Sequence, residues 1–169
     1  NVVSETKRKE QSVMFSKRIG VAQDAAFHFY YRANLDWLRE HGAEVVPFSP
    51  LDDAALPQSL DGLILGGGFP EEFVKQVSLN CSMRESLRHA IESGMPCYAE
   101  CGGLMLLSEE LETKQGLRFP MVGKLPGKVK MGTKLQNFGY CLAQQEDGTM
   151  FRGHEFHHSY WQEETQRAN

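Results

Sequence analysis

The sequence predicts an α/β domain, three layers deep around a mostly parallel sheet, with short antiparallel strands added near the C-terminus. Strand-like and helix-like segments alternate from residue 18 to residue 111, the pattern of a sheet joined by crossover helices. Leu63-Ile64-Leu65 is apolar throughout, as a central strand covered on both faces must be. After residue 112 the texture changes to short segments set between Gly, Pro and Asn breakers, which favours antiparallel additions.

Residues 1–17 are polar, with Lys7, Arg8 and Lys9 close together, and read as a linker or frayed edge; residues 18–169 form the domain. Ile19 and Val21 alternate about Gly20 as a first strand. The aromatic cluster Phe27 to Tyr31 leads into a helix with Tyr31, Leu35 and Leu38 on one stripe and Gly42 as its stop. With Trp37 it reads as core. Val45 to Phe48 is a second strand, and Pro47 within it indicates a sheet edge. The Leu63–Leu65 strand ends at Gly66-Gly67-Gly68. Pro70, Glu71 and Glu72 then signal a helix start. Ser82 and Glu85 match a capping box ahead of the stripe Met83, Leu87, Ala90, Ile91, which Gly94 ends. Pro96 to Ala99 is a fourth strand, Glu100 to Gly103 a tight turn, and Leu104 to Leu107 a helix. Later, Met121–Gly123, Lys128–Met131, Tyr140–Leu142 and Met150–Arg152 are expected as short antiparallel strands.

Composition narrows the class. With 169 residues, 41% of them hydrophobic, the chain suits one domain with a real core. Its 18 Lys+Arg against 22 Asp+Glu leave a net charge of -4, which disfavours a nucleic-acid binder. No apolar run approaches the roughly 18 residues that span a bilayer, and no signal-peptide pattern opens the sequence, so no membrane partner is expected. The four cysteines form no C-x-x-C pair, so neither a zinc site nor any other metal is expected. The expected setting is a reducing, cytoplasmic one.

The chemistry centres on Cys101. It stands between a strand and a helix with Gly102 and Gly103 behind it and Ala99 two residues ahead. Such a turn exposes a nucleophile at the carboxyl end of a sheet, and bulk beside it would collide with the bend. The N-terminus of the following helix favours the thiolate. A thiol nucleophile needs a base from elsewhere in the fold. Of six histidines, three fall in Gly153-His154-Glu155-Phe156-His157-His158. On a strand, Glu155 and His157 share one face and His154 and His158 the other; spacing does not choose between them. Gly66 to Gly68 let the backbone approach a ligand closely and, with the Gly102 N–H, could form an oxyanion hole. Neither a Walker phosphate loop nor Gly-x-Gly-x-x-Gly is present. Lys124, Lys128, Lys130 and Lys134 form a basic stretch that faces solvent, an anionic substrate or a partner.

Tyr98-Ala99-Glu100-Cys101-Gly102-Gly103-Leu104-Met105 resembles the nucleophile elbow of the class I, triad-type glutamine amidotransferases, a flavodoxin-like fold. Leu65-Gly66-Gly67-Gly68-Phe69-Pro70-Glu71 and Gly153-His154-Glu155-Phe156-His157 resemble two further signatures of its corrinoid-amidating branch. The segment from Ala22 to Asn34 resembles that branch's opening strand and loop. The resemblance runs from about Arg18 to about His158. It implies that Cys101 attacks glutamine, that His157 is the base, and that Gly67, Gly68 and Gly102 hold the oxyanion and substrate. The ammonia would pass to an N-terminal domain that uses ATP and magnesium to amidate the a and c carboxylates of a corrinoid. This chain would then be a truncated piece of a longer protein, itself without a cofactor; a homo-oligomer is left open. Ser159 occupies the position of the usual triad glutamate, and Glu155 is a weak substitute. The competing readings are amidation of another tetrapyrrole such as nickel sirohydrochlorin, a catalytically silent docking module, and a cysteine peptidase.

Overall fold

A computed structural model describes residues 16–163. The expected linker over residues 1–17 lies almost wholly outside the described residues, and Lys17 already belongs to the first strand.

The chain runs β1 (Lys17–Ala22), β2 (Phe27–Phe29), α1 (Arg32–Glu40), β3 (Ala43–Phe48), β4 (Gly62–Leu65), β5 (Gly67–Gly68), a 3-10 turn (Pro70–Phe73), α2 (Val74–Leu79), α3 (Cys81–Glu92), β6 (Cys97–Ala99) and α4 (Gly102–Leu107). Four of these strands form a parallel sheet in the order β3-β1-β4-β6. β3 is an edge strand, as Pro47 indicated, and β4 is interior, as its unbroken apolar run required. Gly42 and Gly94, the expected helix stops, follow α1 and α3 with positive φ. Val21, Phe48, Leu63 and Leu65 from the sheet are buried with Leu87 of α3 and Leu106 of α4. Each such side chain contributes about 1.5–3 kcal/mol by leaving water.

Two elements differ from the sequence expectation in this half. Phe27 to Phe29 is a strand, not a helix approach. The Asp24 carboxylate accepts from the N–H groups of Ala26 (2.8 Å) and Phe27 (3.0 Å), turning the chain so that β2 pairs antiparallel with β5. Only Phe27 of the aromatic cluster is fully buried; Phe29, Tyr31 and Trp37 are 59%, 81% and 56% exposed. The Ser82–Glu85 capping box also gives way. Asn80 caps α3, its side-chain oxygen accepting from the Met83 N–H at 3.3 Å, and its amide also donates to Pro50 and Asp53 carbonyls. Asparagine at the cap with two further anchors outcompetes a serine two residues on.

The second half adds β7 (Glu110–Glu112), β8 (Arg118–Pro120), β9 (Lys128–Met131), β10 (Asn137–Gln144), β11 (Met150–His157) and β12 (Ser159–Gln162). β10 and β11 form an antiparallel hairpin, and the other four form a sheet in the order β12-β9-β7-β8. Within it β7 and β9 pair parallel, against the expectation of antiparallel strands alone. Met121 to Gly123 is not a strand. Its amides close onto the end of α4, Val122 N–H to Leu106 O and Gly123 N–H to Ser108 O, and its apolar side chains are buried there. Within the basic stretch, Lys130 pairs with Glu112 at 2.8 Å, so that cation is answered inside the chain. Among the described residues no helix is long and apolar enough to cross a membrane.

Candidate active site

The chain leaves β1 toward β3 on one side and returns past β1 to β4 and β6 on the other. Such a reversal opens a crevice at the carboxyl ends of the strands, where α/β folds bind ligands. Two adjacent strands end there in register, Leu65 of β4 opposite Ala99 of β6. Glycines 66–68 follow the first and Cys101 the second.

Cys101 has φ +49° and ψ -113°, a conformation that costs an L-residue about 1–3 kcal/mol and persists only where its surroundings enforce it. The enforcement is visible. The Glu100 N–H bonds to the Leu65 carbonyl at 3.0 Å, and the Gly103 N–H is shared between the carbonyls of Gly66 (2.9 Å) and Glu100 (2.8 Å). A side chain at Gly103 would fall inside the Leu65 carbonyl, so glycine there is what lets α4 start so close to β4. The thiol that results is exposed. Cys97, two strand positions before Ala99, is its counterpart: burial pushes that thiol up to about 11, which keeps it protonated and inert.

The glycine strand closes on the same sulfur. A Cβ built on Gly67 would stand 3.8 Å from Cys101 Sγ and 3.0 Å from Phe29 Cβ. One on Gly102 would stand 3.2 Å from the Gly68 nitrogen and 2.9 Å from the Pro70 ring. Gly67, Gly68 and Gly102 are thus brought together around Cys101. Tyr30, which in sequence is only one of a run of aromatics, also reaches this segment and accepts the Gly66 N–H at 2.9 Å; no local pattern announces that contact.

The histidine segment lies on β11 and just beyond it. Glu155 and His157 share a face of the strand, opposite Gly139 and Asn137 of β10. His158 falls in the bend between β11 and β12, not on the strand with His154 as expected. The Glu155 carboxylate accepts from the Asn137 amide at 2.9 Å, while His157 Nδ1 meets the Ser159 backbone carbonyl at 2.7 Å. A carbonyl only accepts, so Nδ1 carries a proton, and in the neutral ring Nε2 is then the nitrogen with the free lone pair. Glu71 lies in the 70–73 turn, the turn whose Pro70 packs on Gly102. Burial raises the Glu71 carboxyl above the usual range and the Glu72 charge adds to this, while its own backbone N–H and, more weakly, Lys114 and His158 oppose it.

The fold is that of the glutamine amidotransferases: a crystal structure described as a glutamine amidotransferase superimposes with a TM-score of 0.59 at 18% identity, covering 88% of this chain and 75% of that one. The family follows from the sequence. The profile of the CobB/CobQ-like glutamine amidotransferase domain matches residues 18–169, and the chain belongs to that family. Cobyrinate a,c-diamide synthase of Listeria innocua is 51% identical over 152 residues, which cover 86% of this chain and 33% of the relative. The proteins of that name from Caldanaerobacter subterraneus and Synechocystis are 47% and 48% identical over 89% and 84% of this chain. The chain therefore spans about a third of the length of the curated relatives it matches.

Proposed function

We propose that this chain is the glutamine-hydrolysing domain of a cobyrinate a,c-diamide synthase. The observation that carries the reading is Cys101 held at positive φ between β6 and α4, with Gly67 against its sulfur. His157 Nε2 takes the Cys101 proton as the sulfur attacks the γ-carboxamide carbon of glutamine. Backbone N–H groups of the Gly67–Gly68 strand and Gly102 stabilise the oxyanion. The C–N bond then breaks, the leaving nitrogen takes the proton back from His157 as ammonia, and a γ-glutamyl thioester remains. Water, deprotonated by the same imidazole, hydrolyses the thioester to glutamate and restores the thiol.

The ammonia serves amidation of a corrinoid, as the names of the relatives indicate. ATP and magnesium belong to that later step. The Tyr30 ring occupies the space beside Gly66, and a side chain at Gly68 would run into the Ala26 carbonyl, so packing alone accounts for these glycines and no phosphate loop is needed to explain them. No cluster of three metal-ligating side chains occurs among the described residues. We assign the nucleotide to the part of the longer relatives that this chain does not span.

The test is glutamine hydrolysis by this chain, read as ammonia release, together with labelling by diazo-oxo-norleucine mapped to a peptide. Hydrolysis with the label on Cys101 is expected, and Cys101→Ala abolishes both. A wild-type chain that neither hydrolyses nor labels, alone or within the longer synthetase, identifies a silent docking module instead.

A further inference from the structure

We infer that Tyr30 is a positioning residue for the oxyanion strand: its hydroxyl fixes the peptide that aims the Gly66–Gly68 backbone at Cys101. The inference rests on the glutamine-hydrolysis reading and goes one step beyond it. Tyr30 lies in the segment that returns from β1, between β2 and α1. Its Oη donates to the Ala22 carbonyl, at the end of β1, and accepts the Gly66 N–H at 2.9 Å, one residue past the end of β4. One hydroxyl thus ties together the carboxyl ends of two neighbouring sheet strands.

The Gly66 residue is held from both sides. Its N–H goes to Tyr30, while its carbonyl accepts the Gly103 N–H at 2.9 Å, from the first turn after the nucleophile. The Tyr30 ring fills the space where a Gly66 side chain would sit, so ring and glycine form a matched pair. Gly67, the next residue, is the one that faces Sγ. Rotation about the 66–67 peptide would re-aim its N–H, and oxyanion stabilisation requires donors fixed before charge develops. Burial, chiefly, pushes the Tyr30 phenol up to about 12, so the hydroxyl remains a donor to Ala22 at any working pH. Its proton is committed there, which makes Tyr30 a positioning group and not an acid or base. Tyr31, the adjacent aromatic, is 81% exposed and has no such part.

The test is Tyr30→Phe, which keeps the ring and removes only the hydroxyl. In glutamine hydrolysis we expect kcat to fall about 10- to 100-fold, less than the loss of a whole oxyanion donor, with KM within about threefold. Affinity for the γ-aldehyde analogue of glutamine, whose hemithioacetal places an oxyanion in the same site, should fall by a similar factor. Alkylation of Cys101 by iodoacetamide, which needs no oxyanion hole, should stay within about twofold. Unchanged kcat and aldehyde affinity in an active protein overturn the role of Tyr30 alone. An equal drop in iodoacetamide reactivity also overturns it, because the elbow as a whole has then collapsed. A wild-type chain that neither hydrolyses glutamine nor binds the aldehyde overturns the functional reading, and this role with it. Should Tyr30→Phe fail to fold, a fluorinated tyrosine of acidified phenol at position 30 replaces it. Its ionisation removes the donor to Ala22 and should add a basic limb to the kcat profile that wild type lacks; identical profiles overturn the inference.

Discussion

His157 Nδ1 lies 2.7 Å from the backbone carbonyl of Ser159. Triad amidotransferases commonly orient the catalytic imidazole with a carboxylate two residues on; that position is Ser159 here, and on the proposal that His157 is the base its main-chain oxygen takes the carboxylate's place. Glu155, the acid closest in sequence, is engaged by Asn137 instead. Removing either side chain should therefore matter little. Ser159→Ala and Glu155→Gln are expected to keep glutamine hydrolysis within about threefold, while His157→Ala lowers kcat by about 10²-fold or more. Ammonia release from the three variants decides it; a large loss in Glu155→Gln would return the orienting role to the carboxylate.

Strain at the nucleophile gives a prediction about stability. Cys101 is forced to φ +49°, and glycine accepts that region without penalty. Cys101→Gly should be more stable than Cys101→Ala by about 1 kcal/mol, or roughly 2–4 °C in thermal midpoint for a domain of this size. Both variants lack the thiol, so the comparison isolates the backbone term. Equal midpoints would mean that the elbow relaxes when the sulfur is removed.

The parallel sheet and the elbow were legible because their signals are local. A buried strand must be apolar over consecutive residues, as Leu63 to Leu65 are, and the close approach of α4 to β4 leaves glycine at position 103. β2 was not legible. It exists because the bare Gly67–Gly68 backbone offers it partners, and nothing near Phe27 in sequence reports that. The parallel pairing of β7 with β9 was hidden for a related reason. Glu110, Glu112, Lys128 and Lys130 look like solvated charge until register sets Glu112 opposite Lys130. In the site, cysteine and glycines announced themselves, whereas spacing could not separate His157 from its neighbours, and the reach of Tyr30 to Gly66 spans 36 positions.

The start of α3 is where a sequence signature misled, and it is testable. Asn80, not Ser82, caps the helix and also donates to the Pro50 and Asp53 carbonyls at 2.9 Å each. Asn80→Ala should cost about 2–3 kcal/mol, a lost cap plus carbonyls left without a donor. Ser82→Ala should stay within about 0.5 kcal/mol, as surface substitutions do. Urea unfolding of the two variants measures the difference; similar losses would restore the capping box.

Glu71 links the site to pH. Its carboxyl is raised above the ordinary carboxylate value by burial chiefly, with the Glu72 charge adding, against a hydrogen bond from its own backbone N–H and the weaker pull of Lys114 and His158, and its Oε2 is buried without a hydrogen-bond partner. A group that binds its proton more tightly when folded favours the fold below its unfolded pKa. That contribution disappears as pH rises through the folded value. At neutral pH the ionised carboxylate is thus a liability beside Pro70 and Gly102, and Glu71→Gln should raise the thermal midpoint there. The advantage should shrink as pH falls toward 4, where the wild-type carboxyl is itself neutral. Midpoints of both proteins from pH 4 to 8 test this. A Gln variant that is less stable at pH 7 would show that Lys114 and His158 hold the carboxylate more strongly than burial penalises it.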